Sequence, residues 1–180
     1  MLNLILGNIF SFLSSGCSAI SAIKKNKNDL IYWQIIDNFL FGISCIFLNA
    51  YAALMTSLIA LLRNTLAYKN KLDLKWTILL TSLCIIIGFI VNNTGIFGIL
   101  AIVASAGYTV LMYTSKTAQQ MRYAMVFNLS LWFIHNCYIQ AYPSAISSLL
   151  LALWALIQTF KNHETKLKKT KNKHHSSSSK

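Results

Sequence analysis

The chain has 180 residues, of which 56% are hydrophobic and 11% charged, with 16 Lys and Arg against 4 Asp and Glu, and its mean hydropathy is +0.54. A water-soluble domain of this size needs roughly a quarter of its residues charged, so the composition excludes one; it also excludes a secreted disulfide scaffold and a disordered chain. What remains is a membrane protein.

A bilayer crossing takes about 20 mostly apolar residues. Breaks in hydropathy predict seven crossings, at 3–23, 31–48, 50–68, 74–91, 95–114, 123–140 and 143–160. The first has no basic residue before it and its lysines follow it, so it reads as a retained helix and not as a signal peptide. Some of the turns are marked only by Asn, Gly or Pro and must be tight, as at Asn49-Ala50 and Tyr142-Pro143. Lysines 24, 25 and 27 fall in the first loop, 69, 71 and 75 in the third, Lys116 and Arg122 in the fifth, and seven more between Lys161 and Lys180. The second, fourth and sixth loops have none. Lys and Arg in short loops stay in the cytoplasm, which predicts an external N-terminus, a cytoplasmic C-terminus and a multi-pass protein of the cytoplasmic membrane. Apart from Lys75 at the very edge of the fourth span, only Arg63 among the basic residues falls inside one. Cys17, Cys45, Cys84 and Cys137 all fall within predicted helices, lack ligand spacing and read as packing residues.

Shifting the chain by 91 positions aligns residues 5–70 with 96–161 without a gap, and thirteen pairs are identical. These include Gly7 with Gly98, Ser14 with Ser105, Gly16 with Gly107, Ser57 with Ser148, and the Ala-Tyr pairs 50–51 and 141–142. Loop boundaries, turn and glycines keep one register, which favours an internal duplication over compositional coincidence. Each copy holds three helices, and an odd number would invert the second copy unless one more crossing intervened. The span at 74–91 supplies it. The expected architecture is all-α, seven transmembrane helices in a 3+1+3 arrangement of parallel repeats. Residues 1–71 form the first three-helix repeat, 72–93 the linker helix, 94–161 the second repeat, and 162–180 a disordered basic cytoplasmic tail. Carriers built this way hold their site where the repeats meet.

The seven-helix plan with an external N-terminus resembles the SWEET and PQ-loop class of small-solute carriers. The stretch Met121-Arg122-Tyr123-Ala124-Met125-Val126-Phe127, continuing to Trp132-Phe133-Ile134-His135-Asn136, is similar to the YgjV-like bacterial inner membrane proteins. That likeness implies an integral inner membrane protein of SWEET-like fold. The chain departs from the wider class in having no Pro-Gln pair and no proline in the first helix of either repeat. Gly16 and Gly107 are then the candidates for flexibility there, or for close helix packing.

Polar groups within a membrane are site candidates by default. In the sixth span Asn128, Trp132, His135 and Asn136 share one helical face, and Asp37, Phe41, Ser44 and Cys45 are their repeat equivalents in the second. SWEET-like carriers hold sugar with a Trp on the second helix of a repeat and an Asn sixteen positions later. The corresponding pairs here are Trp132 with Ser148 and Phe41 with Ser57. Trp132 offers a flat ring to C–H surface, Asn128 and Asn136 offer donors and acceptors, and Ser57 and Ser148 hydroxyls. His135 suits hydrogen bonding or proton transfer, or a bond to a neighbouring helix; the serines alternatively bond their own helix carbonyls. Asp37 and Arg63 lie at similar depth and are candidates for an ion pair or inner gate; alternatively Arg63 reaches the headgroups along its long stem and Asp37 meets water in the cavity.

The function expected is a carrier or facilitator for a small polar solute, possibly a sugar, working in a lipid bilayer. The alternative is a membrane scaffold or receptor that transports nothing. An enzyme is not expected, since the chain has no H-E-x-x-H, no G-x-S-x-G and one intramembrane acid. No lysine in the last span is available to hold retinal. No cofactor, metal or nucleic-acid partner is expected; His174 and His175 are too few for a metal site.

Overall fold

The computed structural model describes residues 1–24, 26–115 and 118–157. Lys25, Lys116 and the tail expected over 162–180 lie outside the described residues.

Among the described residues there are seven helices and no strand. In chain order they are α1 (Leu2–Ile23), α2 (Lys27–Phe47), α3 (Tyr51–Tyr68), α4 (Leu74–Ile90), α5 (Ile96–Thr114), α6 (Ala118–Tyr138) and α7 (Tyr142–Ile157). The starts of α2 and α6 precede the hydropathic boundaries by four and five residues, because caps and polar first turns extend a helix beyond its apolar stretch. Asn26 accepts the backbone N–H of Asn28 at 3.1 Å at the head of α2, and Asp73 accepts that of Trp76 at 2.8 Å at the head of α4.

Three helices are long and apolar enough on their own to cross a membrane: Leu2–Ile23, Asn28–Phe47 and Ile96–Thr114. Leu74–Ile90 and Tyr142–Ile157 are apolar but shorter. The distribution of side chains decides which solvent the bundle suits. Ser11, Ser44, Thr56, Ser57, Arg63, Asn64, Thr109, His135 and Asn136 are buried, while Phe12, Ile78, Ile86, Phe89, Ile90, Ile146 and Leu150 are exposed. Water would leave such a surface unstable, whereas hydrocarbon favours apolar side chains outside and polar ones satisfied within.

The α2–α3 and α6–α7 turns are built alike. Asn49 and Gln140, 91 positions apart, adopt φ of 52° and 60°. The next residues, Ala50 and Ala141, donate back to Cys45 O at 2.9 Å and Asn136 O at 3.0 Å. This is the Schellman ending, and both alanines are fully buried. An asparagine from elsewhere clamps each turn. Asn93, between α4 and α5, accepts the N–H of Tyr51 at 3.1 Å and donates to Asn49 O. Asn8 of α1 accepts the N–H of Tyr142 at 3.1 Å and donates to Gln140 O at 3.1 Å.

A core at this clamped end joins Phe41, Cys45, Ala50 and Ala53 to Ala101, Ile139 and Ala141. A second core packs Ile59 of α3 and Leu80 and Cys84 of α4 on Ile102 and Ala106 of α5. Small residues set these close crossings: a Cβ at Gly88 would lie 2.7 Å from Ile102, and one at Gly7 would lie 2.7 Å from Leu48. Gly16 differs, since a Cβ there would meet nothing within 4 Å; of the two roles expected for it, close packing is not what the structure gives.

Candidate functional site

The sequence places serines at 11, 14, 15, 18 and 21 of α1, a spacing of three and four that turns one stripe of hydroxyls toward the bundle interior. Beside that stripe lies a polar cavity of about 130 Å³, lined from α1, α2, α3, α5, α6 and α7. A space of this size takes several waters or one small solute. Its lining runs from Asn136 and Ser144, near the clamped turns, to Ser21, close to the opposite end of α1.

Positions that the 91-residue register pairs line it together. Ser14 and Ser105, Asp37 and Asn128, Phe41 and Trp132, and Ser57 and Ser148 all line the cavity, and each pair is separated by 91 positions. The chemistry is nonetheless unequal. The α2 wall carries Gln34, Asp37 and Asn38, while the matching α6 positions are Met125, Asn128 and Leu129.

Eight of the nine residues expected at the site line this cavity: Phe41, Ser57, Asn128, Trp132, Asn136, Ser148, Asp37 and Arg63. His135 does not. It is fully buried one layer behind, with Nδ1 2.8 Å from Phe97 O and its ring edge to face with Trp132 at 5.5 Å. The cause is the packing of α6 on α5, which covers one edge of the polar arc and leaves the other open. Trp132 is in turn edge to face with Phe41 at 5.4 Å.

The direct contact expected between Asp37 and Arg63 is not made in this conformation. Asp37 accepts from Ser14 on one oxygen and from Ser18 at 2.6 Å on the other. Arg63 donates through Nε to Asn64 Oδ1 at 3.0 Å and through Nη1 to Thr109 at 3.3 Å, with its guanidinium 4.9 Å from the centre of the Tyr108 ring. The acid is thus drawn toward α1 and the base toward α5.

Several lining groups have no hydrogen-bond partner within the protein. They are Ser57 Oγ, Asn128 Oδ1, Asn136 Oδ1 and Gln34 Oε1. Ser57 therefore does not spend its hydroxyl on its own helix. Buried polar atoms left without protein partners lose free energy unless something else bonds them, and the residues that carry all four line the cavity. Near the clamped end Ser11 donates to Ser144 at 2.7 Å, closing the seam between α1 and α7.

Sequence reasoning missed the α1 serines, Gln34, Asn38, Ser105, Tyr108 and Ser144. The serine stripe was the available signal, since serines recurring every three or four positions over an otherwise apolar helix mark a single polar face. Among the described residues no group of three His, Cys, Asp or Glu side chains is placed to hold a metal.

The profile of Imp-YgjV, described as bacterial inner membrane protein, matches residues 5–166. The chain belongs to this family. Every helix and every lining residue described above falls within the match, apart from the first three residues of α1. No curated protein and no solved structure matches the chain. For this Imp-YgjV protein the inner membrane accounts for the outward apolar surface, and the inward polar cavity is left as the feature that needs a function.

Proposed function

We propose that this Imp-YgjV protein is a carrier or facilitator for a small polar solute, held in the cavity between two three-helix units, and not an enzyme. All seven helices cross the bilayer in this reading, α3 and α6 included, because their polar residues look into the cavity and not into lipid. Units α1–α3 and α5–α7 are then parallel repeats joined by α4, with the N-terminus external and the C-terminus cytoplasmic. The matched turns at Asn49 and Gln140 support the duplication, and the basic loops support the orientation.

The observation that carries the reading is the cavity itself. It is polar, sits within an apolar exterior, draws its lining from equivalent positions of both units and contains hydrogen-bonding groups without protein partners. Its lining reaches Ser21 at the basic-loop end, while the other end is tied by the two asparagine clamps and the Ser11–Ser144 bond. That is the form expected of a carrier closed toward the outside.

The test is solute uptake into proteoliposomes containing the purified full-length protein, over a panel of sugars, polyols, amino acids and small organic acids. Uptake that depends on protein and falls with Trp132→Ala and Asn136→Ala supports the carrier. Absence of flux for every solute, from protein that is folded and correctly inserted, favours a scaffold or receptor instead.

A further inference from the structure

The described lining includes one acid, Asp37, and one guanidinium, Arg63. They stand at one height. The rings of Tyr32 and Tyr68 are 6.5 Å apart, Asp37 lies five residues along α2 from Tyr32, and Arg63 lies five residues back along α3 from Tyr68. At 1.5 Å per residue both are about 7.5 Å from that aromatic contact. Two opposite charges level with each other in a low-dielectric interior are ordinarily paired. These are held apart, the acid by two serine hydroxyls, the base by Asn64, Thr109 and the face of Tyr108.

Both keep capacity for a further partner. A guanidinium has five N–H donors, and Arg63 uses two of them. Each Asp37 oxygen accepts a single bond and has room for another. The same cavity holds Ser57 Oγ and Asn136 Oδ1, on residues 1% and 2% exposed, without partners.

We propose that the solute is a small zwitterion of the free amino-acid class, its ammonium group taken by Asp37 and its carboxylate by Arg63. This rests on the carrier reading above and names its substrate class. A molecule with both charges satisfies both buried charges at once. A neutral sugar leaves both without a counter-charge, an organic acid leaves Asp37 so, and an amine leaves Arg63 so. Charge-assisted hydrogen bonds are about twice as strong as neutral ones, so the charged ends dominate selection and the amides at Asn128 and Asn136 bond what lies between.

The experiment is calorimetric titration of the purified full-length protein in nanodiscs with the free L-amino acids. The tightest binder is then compared with its N-acetyl derivative, its methyl ester and glucose. The expected result is binding of at least one amino acid, with each blocked derivative weaker by about tenfold or more, as loss of one charge-assisted contact requires. Asp37→Asn should weaken the amino acid while Asp37→Glu partly restores it. The comparison of derivatives uses wild-type protein and so does not depend on any variant folding. Binding of no amino acid overturns the proposal, as does equal binding of either derivative or tighter binding of glucose. Uptake of an uncharged solute without zwitterion binding overturns it and leaves the carrier standing. Zwitterion binding without any uptake supports this site and removes the carrier reading.

Discussion

Phe41 of α2 and Trp132 of α6 meet edge to face in the cavity lining, ring centroids 5.4 Å apart, although they stand 91 positions apart in the chain. The contact therefore joins α2 to α6 at the level of the polar lining. An aromatic pair of this kind contributes about 0.5–1.5 kcal/mol beyond its burial. Trp132→Ala is expected to reduce solute flux by about tenfold or more, since an error in positioning at the site costs rate steeply. Trp132→Phe, which keeps a ring against Phe41, should retain most of it. Measuring flux beside thermal unfolding in detergent separates the roles: loss of stability with unchanged specific activity would make Trp132 a packing residue.

Asp37 and Arg63, separately partnered, should behave independently. If they were an ion pair, the double change Asp37→Asn with Arg63→Gln would cost much less than the sum of the single changes. With the partners observed and no direct contact, the coupling between the two changes in unfolding free energy should stay below about 1.5 kcal/mol. A coupling energy above about 1.5 kcal/mol in the double-mutant cycle would mean that the two meet in another conformation.

The glycines separate by the space around them. Gly88→Ala places a Cβ 2.7 Å from Ile102 and should destabilise by about 1–3 kcal/mol, the usual range for overpacking. Gly16→Ala, with nothing within 4 Å, should stabilise α1 slightly, by up to about 1 kcal/mol, because alanine loses less entropy in a helix. Thermal unfolding in detergent measures both. A large loss of flux for Gly16→Ala at unchanged stability would instead assign that glycine a role in bending.

Much of this structure was legible in the sequence, and the reasons for the rest are physical. The equal register of Ala50-Tyr51 and Ala141-Tyr142 marked two identical turns, because a Schellman ending constrains several consecutive residues at once. Phe41, Ser57, Trp132 and Ser148 were reached from the resemblance to SWEET-like carriers and the 91-residue register, and all four line the cavity. Helical spacing did not distinguish His135 from Asn136: both lie on one polar arc of α6, and only the position of α5 decides which is covered. Asp37 and Arg63 were placed at equal depth, but depth fixes neither side-chain direction nor the pull of Ser14, Ser18 and Thr109. The helix starts at Lys27 and Ala118 were missed because hydropathy responds to apolar residues and not to polar first turns or to a cap such as Asn26.

Asn8 and Asn93 should be equivalent in effect. Each makes two hydrogen bonds to a turn, together contributing roughly 1–3 kcal/mol at about 0.5–1.5 kcal/mol per bond. If they keep one end of the cavity shut, Asn8→Ala or Asn93→Ala should speed reaction of a cysteine placed at Ser147, which lines the cavity and leaves the Ser11–Ser144 bond intact, with an impermeant maleimide added outside cells. Unchanged labelling with both clamps removed would show that the Ser11–Ser144 seam closes that end unaided.

The charge pattern makes a separate claim about orientation. A reporter fused after Lys180 should be active only in the cytoplasm, and an epitope before Met1 should be reached by antibody from the periplasm. Reversed signals from both positions would overturn the assignment.

The clamps also bear on how the protein is made. The turn at Asn49–Tyr51 is tied by a side chain 42 and 44 positions further on. The bonds of Asn8 reach across 132 and 134 positions. During synthesis the turn between α2 and α3 therefore stays unlatched until Asn93 emerges, and Asn8 waits until almost the whole described chain has been made. A ribosome that stalls before Tyr142 therefore leaves a chain in which the Asn93 clamp can form while Asn8 still lacks its turn.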